Sequence, residues 1–276
     1  MGQLIRVAHS PDTDDAFMFY ALTKGKLSTG DYEFEHILKD IETLNKEALQ
    51  GTYEVTAISF HAYPHVLDRY ALMTCGGSIG DGYGPIIVSS REMNINGLKG
   101  LEIAVPGSLT TARLALKLFM PEVKEKIMNF DEILPAAKRG GVDAGLIIHE
   151  GQISYMREGV YKIIDLGEWW RKKTGLPLPL GGNVVRRDIP GMKEIARLIK
   201  ESIVYSLSHE DEAVDYALSF RSGLDREEAK KFIRMYVNDF TVHLGERGKK
   251  AVELLLREGY EAGVIGRKVE IDWIEV

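Results

Sequence analysis

Short apolar runs alternate with amphipathic segments through the first two thirds of the chain. Runs at residues 5–8, 32–37, 55–59, 71–74 and 86–89 are rich in β-branched residues and bounded by turn formers, which predicts strands. A second series at 102–105, 144–148 and 161–165 is separated by helical spacing at 111–119 and 132–139. Strands and helices in alternation make a mostly parallel sheet with crossover helices, so the fold class is α/β. From Gly191 the period changes. Met192, Ile195, Ala196, Ile199 and Ile203 recur at helical spacing, and three more amphipathic helices follow, predicting a helical layer.

Two stretches of the chain share one plan. In ETLNKEALQGTYEVTAISFH, from Glu42, and FDEILPAAKRGGVDAGLIIH, from Phe130, an amphipathic helix ends at a glycine, Gly51 or Gly140, as C-cap glycines do. Three positions later an acid, Glu54 or Asp143, leads into an apolar strand ending at Ser59 or Ile148. Open α/β sheets bind ligands just outside the carboxyl ends of their strands. Ser59 and His149 therefore become candidates for opposite walls of one cleft.

A length of 276 residues favours two compact units. The loop GGSIGDGYGP, Gly76 to Pro85, has five glycines but lacks the Lys and Ser/Thr of a phosphate-binding loop, so it reads as a turn or hinge. A second crossing is expected near Leu180 to Asn183. Two crossings imply one discontinuous lobe of residues 1–90 and 183–276 and a smaller one of residues 91–182, with a ligand cleft between.

Composition narrows the function classes. Net charge is −6 and the basic residues form no stripe, so no nucleic-acid partner is expected. No run approaches the roughly 20 apolar residues of a membrane span, and the start MGQLIRVAHSPDTDD lacks a basic segment followed by an apolar one. A cytoplasmic location without a membrane partner is the expectation. The single cysteine, Cys75, follows an apolar run and reads as a small buried hydrophobe.

His149 is the leading catalytic candidate, because an imidazole after a buried strand sits where ligands bind and exchanges protons near neutral pH. A hydrogen-bonded structural histidine has the same setting. Thr110 and Thr111 open a helix after a strand and Gly107, so they suit either a carboxylate held at the helix N-terminus or an ordinary cap. Ser10, Asp12, Asp14 and Asp15 follow the first strand. Acids there favour the dipole of the next helix, and three of them disfavour an anion at that corner. His61 and His65 share one helical spacing but have no evident third ligand, so no metal is expected. Trp169 and Trp170 offer stacking surfaces, one of them to the core. Asn45 is a poor helix former with either an outward role or a plain surface position.

At GLIIHE and DLGEWWRKKTGLPLPLGGNVVRRD the sequence resembles the 1,4-dihydroxy-6-naphthoate synthase family of the futalosine route to menaquinone. Further matching segments are DIETLNKEALQG, AVPG followed by Thr110 and Thr111, and YVNDFTVHLGERGKKAV from Tyr236, so the likeness runs over nearly the whole chain. It implies a two-lobed, periplasmic binding protein type II-like α/β fold used as a cytoplasmic lyase without metal or organic cofactor. It further implies that His149 is the proton acceptor, that Ala57, Ile58 and Ser59 line one wall, and that Thr110 and Thr111 bind from the other. Asn45 matches a family asparagine near the ligand. The first loop departs: the family reads Ser-Pro-Cys-Pro-Asn-Asp-Thr-Phe, where this chain has SPDTDDAF and keeps only Ser10, Pro11, Asp15 and Phe17. The implied reaction converts cyclic dehypoxanthinylfutalosine to 1,4-dihydroxy-6-naphthoate, with a small-molecule carboxylate as partner and a homodimer left open. Chorismate dehydratase, a lyase of the same fold, and a non-enzymatic receptor for a small organic acid are the alternatives.

Overall fold

The computed structural model describes residues 2–220 and 224–276. Seven described strands form the first sheet, in the order Trp273–Ile274, Tyr70–Met73, Leu178–Arg186, Val55–Ser59, Gln3–His9 and Tyr32–Leu38, with Ser78–Gly80 paired to the start of Leu178–Arg186. Five form the second, in the order Tyr161–Asp165, Ile86–Ser89, Ala144–Ile147, Glu102–Val105 and Lys124–Ile127. Each sheet is mixed. Gln3–His9 and Glu102–Val105 run parallel to both neighbours, whereas Leu178–Arg186 and Ile86–Ser89 run antiparallel to theirs. Val55–Ser59, Tyr70–Met73 and Ile86–Ser89 are buried at every position, as strands covered on both faces are. Among the described residues no helix is long and apolar enough to cross a membrane.

The two related stretches have a common physical cause. Gly51 and Gly140 turn the chain with φ of +69° and +68°, a conformation that glycine adopts without steric cost. Each following carboxylate then accepts a backbone N–H from the neighbouring parallel strand: Glu54 Oε2 from Arg6 at 3.0 Å, and Asp143 Oδ2 from Glu102 at 3.1 Å. The acid thus pins the register of the strand that carries Ser59 or leads to His149.

Sheet membership corrects the expected division. Ile86–Ser89 pairs within the second sheet, so the chain leaves the first sheet after Gly80 and not near residue 90. It returns with Leu178. The segment near Leu180 to Asn183, expected to be the second crossing, lies within a nine-residue strand. Its glycines serve close packing instead of a turn: a Cβ on Gly181 would lie 3.1 Å from the Ile58 carbonyl oxygen, and one on Gly182 would lie 3.1 Å from the Phe60 ring.

The C-terminal helices cover the first sheet and reach past it. Met192–Ser208 buries Ile195, Ile199 and Ile203 against Ile5, Val7 and Phe17. Gly245–Glu261 packs Val252, Leu255 and Leu256 into a core shared with Leu72 and Val184 of the first sheet and with Leu114 and Ala115 of helix Thr111–Phe119. That second contact ties the C-terminal layer to both halves.

Candidate active site

A cleft of about 740 Å³, open to solvent, lies where the carboxyl ends of strands from both sheets meet. Seven of the expected site residues line it: Ser10, Ala57, Ile58, Ser59, Thr110, Thr111 and His149. Lys and Arg are absent from its lining among the described residues, whereas Asp12, Asp14 and Asp15 are present.

Asn45 is the expected site residue that lies behind the wall. It is fully buried in helix Ile41–Ala48 and brackets Ser59, accepting its N–H at 2.8 Å through Oδ1 and donating to its Oγ at 3.1 Å through Nδ2. The outward or surface position read from its poor helix propensity is corrected here: burying an amide is stable because both of its ends find partners.

Thr110 is an ordinary N-cap in geometry, its hydroxyl accepting the Arg113 N–H. Thr111 turns its hydroxyl to the first sheet, donating to the Leu180 carbonyl at 2.6 Å and accepting the His61 N–H at 3.2 Å. The His61 ring adds a 3.1 Å bond to the Thr110 carbonyl, and its burial lowers the imidazole to about 4. Just upstream, Glu42 accepts Ser108 N–H at 2.9 Å, Ser108 Oγ at 2.8 Å and Leu109 N–H at 3.1 Å. A Cβ on Gly107 would fall 2.3 Å from that carboxylate, so only glycine lets the loop approach. Sequence reasoning missed Glu42, and it weighed His61 only as a metal ligand and not as a brace, because their partners lie some 50 to 67 positions away.

The first loop places Asp14 and Asp15 in the first turn of helix Thr13–Met18, the end of the dipole that favours acids. Asp12 occupies the N-cap of helix Thr13–Met18 without a side-chain cap bond, and its Oδ2 instead accepts the Ser10 hydroxyl at 2.5 Å. Asp15 accepts the Ser10 N–H at 2.9 Å. Burial, with the charge of Asp12 adding to it, pushes Asp15 up to about 7. Burial also holds Asp14 well above the usual carboxylate range, and Asp15, Asp12 and Glu150 push the same way. Thr13 reaches the other half, giving its N–H and hydroxyl to Glu150 Oε1 at 3.0 and 3.1 Å.

His149 is mostly buried at the end of Ala144–Ile147, its ring edge-on to Phe130 with centroids 4.7 Å apart. Nε2 lies 3.4 Å from the Phe130 carbonyl oxygen, and Nδ1 lies 3.3 Å from the Gly151 N–H and 3.8 Å from Glu150 Oε2. A carbonyl can only accept, so Nε2 carries the proton in the neutral ring and Nδ1 has the lone pair. Both contacts are long and leave the ring able to exchange them for a ligand.

Other expectations resolve by burial. Trp170 is core, with Nε1 donating to Pro177 O at 3.1 Å, while Trp169 packs edge-on to Phe119; neither lines the cleft. Cys75 is buried, which pushes its thiol up to about 12. Among the described residues no group of three or more His, Cys, Asp or Glu side chains is placed to hold a metal ion. Phe232 and Tyr236 line the cleft from helix Arg226–Tyr236, and their only sequence signal was the apolar face of that helix.

Comparison with known proteins adds a family to this geometry. The family described as menaquinone biosynthesis matches residues 5–261. The 1,4-dihydroxy-6-naphthoate synthase of Thermus thermophilus is 38% identical over 95% of this chain and 96% of its own, and that of Streptomyces coelicolor is 34% identical over 95% and 94%. A solved Archaeoglobus fulgidus protein superposes with a TM-score of 0.91 at 48% identity, covering 95% of this chain and 98% of that one. The alkanesulfonate-binding protein of Xanthomonas axonopodis pv. citri, at 12% identity, covers 99% of this chain and 98% of its own with a TM-score of 0.72, which shows the periplasmic binding protein-like fold alone.

Proposed function

The chain belongs to the menaquinone biosynthesis family, and from that premise we propose that it converts cyclic dehypoxanthinylfutalosine to 1,4-dihydroxy-6-naphthoate, with His149 as general base. Likeness over nearly the full chain to two synthases carries this reading. The cleft supports it, since it brings His149, Ser59 and the Thr110–Thr111 helix start around one small volume.

The substrate carboxylate sits at the start of helix Thr111–Phe119. Thr110 caps the N–H of Arg113, so the N–H groups of Thr111 and Ala112, the first two of the helix, meet the anion with the helix dipole behind them. Ser59, held by Asn45, presents its hydroxyl to a substrate oxygen. Nδ1 of His149 removes the acidic proton beside a carbonyl, elimination releases the sugar remnant, and aromatisation draws the sequence forward. The imidazolium so formed keeps Nε2–H on the Phe130 carbonyl and turns Nδ1–H toward Glu150.

Each sheet with its described helices makes one lobe, the first of residues 2–80, 178–220 and 224–276 and the second of residues 86–165, and the core that helix Gly245–Glu261 shares with helix Thr111–Phe119 joins them. Opening admits substrate and closure excludes water. Incubating the purified protein with the cyclic futalosine derivative and following the naphthoate by chromatography tests the reading. Absence of product overturns it.

A further inference from the structure

We infer that the Asp14 carboxyl is a substrate-contacting hydrogen-bond donor beside His149; the inference rests on the proposed reaction for the identity of the oxygen it meets. Asp14 lines the cleft yet is only 8% exposed. Its hydrogen bond from the Ser78 hydroxyl is long, at 3.4 Å. Its chain neighbour Thr13 is bonded twice to Glu150, the chain neighbour of His149, so Asp14 and His149 line the cleft from segments that this contact holds together.

Charge decides which form of the carboxyl works there. The groups facing Asp14 are Asp12 and Asp15 from its own loop, Glu150 from the segment after Ala144–Ile147, and Tyr236 from helix Arg226–Tyr236, none of them cationic. His149 is the one lining residue among those described that can become positive. Burial and like charges therefore favour the neutral acid, consistent with the raised Asp14 and Asp15. A neutral carboxyl donates its O–H, and an oxygen gaining negative charge as His149 takes the proton is the acceptor it fits. An anionic ligand entering among three aspartates also favours proton uptake by them. Asp14 thus makes the acidic corner compatible with an anionic substrate.

Two arms test this. The first is the pH profile of kcat/KM on the cyclic futalosine derivative for wild type, Asp14→Asn and Asp14→Leu. A neutral acid loses its proton as pH rises, so wild type should fall through an alkaline limb. Asp14→Asn, whose amide still donates and does not titrate, should lose that limb, and Asp14→Leu should sit roughly 100-fold below wild type on the acid side of the limb. The second arm needs binding only: calorimetry of 1,4-dihydroxy-6-naphthoate in buffers of different ionisation enthalpy should show proton uptake in wild type that Asp14→Asn reduces. Equal uptake by the two proteins overturns the inference whether or not turnover is seen, as does an alkaline limb unchanged in Asp14→Asn. Asp14-dependent uptake in a wild type without turnover supports Asp14 and overturns the proposed reaction instead.

Discussion

Asn45 holds Ser59 at both ends, its Oδ1 accepting the Ser59 N–H at 2.8 Å and its Nδ2 donating to the Ser59 hydroxyl at 3.1 Å. The pair makes the wall of the cleft rigid from behind, because a buried amide with both ends bonded has one orientation. Asn45→Leu should cost about 1–3 kcal/mol of stability by leaving the Ser59 N–H unpaired, and should lower kcat/KM on the cyclic futalosine derivative. Denaturant unfolding measures the first effect and steady-state kinetics the second. Unchanged stability would show that Ser59 finds other partners.

Glu42 should control affinity from outside the cleft. Its three bonds hold the Ser108–Leu109 segment, and hence the start of helix Thr111–Phe119, against the first sheet. Glu42→Ala should weaken naphthoate binding by about 1.5–3 kcal/mol, the worth of a charged hydrogen bond. Gly107→Ala should act in the same direction, since its Cβ displaces the same carboxylate. Calorimetry on both variants checks this. Full affinity in Glu42→Ala would mean that the helix start needs no such brace.

Much of this fold was legible in the sequence, and its failures have physical causes. Val55–Ser59, Ile86–Ser89 and Glu102–Val105 fall where their apolar runs lie, because burial of a short strand leaves a continuous apolar signature. Leu178–Arg186 was hidden by Pro179, Gly181 and Gly182, which look like turn residues until the close approach of Ile58 and Phe60 is known. Lys124–Ile127 is a polar, mostly exposed edge strand without such a signature. At the site, His149 and Ser59 were readable as strand-end residues. Glu42, His61 and Glu150 act through partners far away in sequence, and no local pattern reports that.

Acid should destabilise the protein partly through His36. Burial lowers this imidazole from 6.5 to about 4, so the folded state resists a proton that the unfolded chain accepts. The stability it contributes is complete above pH 6.5 and is lost as pH falls toward 4. His36→Phe should therefore lose less stability than wild type over that window, by roughly 3 kcal/mol at most. Urea unfolding at pH 7, 5.5 and 4 measures the difference. Parallel losses in the two proteins would mean that His36 is protonated alike in both states.

Turnover by His149→Asn tests the central claim most directly. Asparagine keeps much of the shape and a polar end but cannot accept the proton, while the proposed substrate contacts are spread over Ser59, the Thr111 helix start and the apolar walls, all of which line the cleft. The account predicts that His149→Asn binds 1,4-dihydroxy-6-naphthoate with affinity close to wild type by calorimetry, yet loses about 10²- to 10⁴-fold in kcat on the cyclic futalosine derivative. Near wild-type kcat in His149→Asn would contradict it, leaving His149 a hydrogen-bonded strand-end residue and the base elsewhere in the cleft.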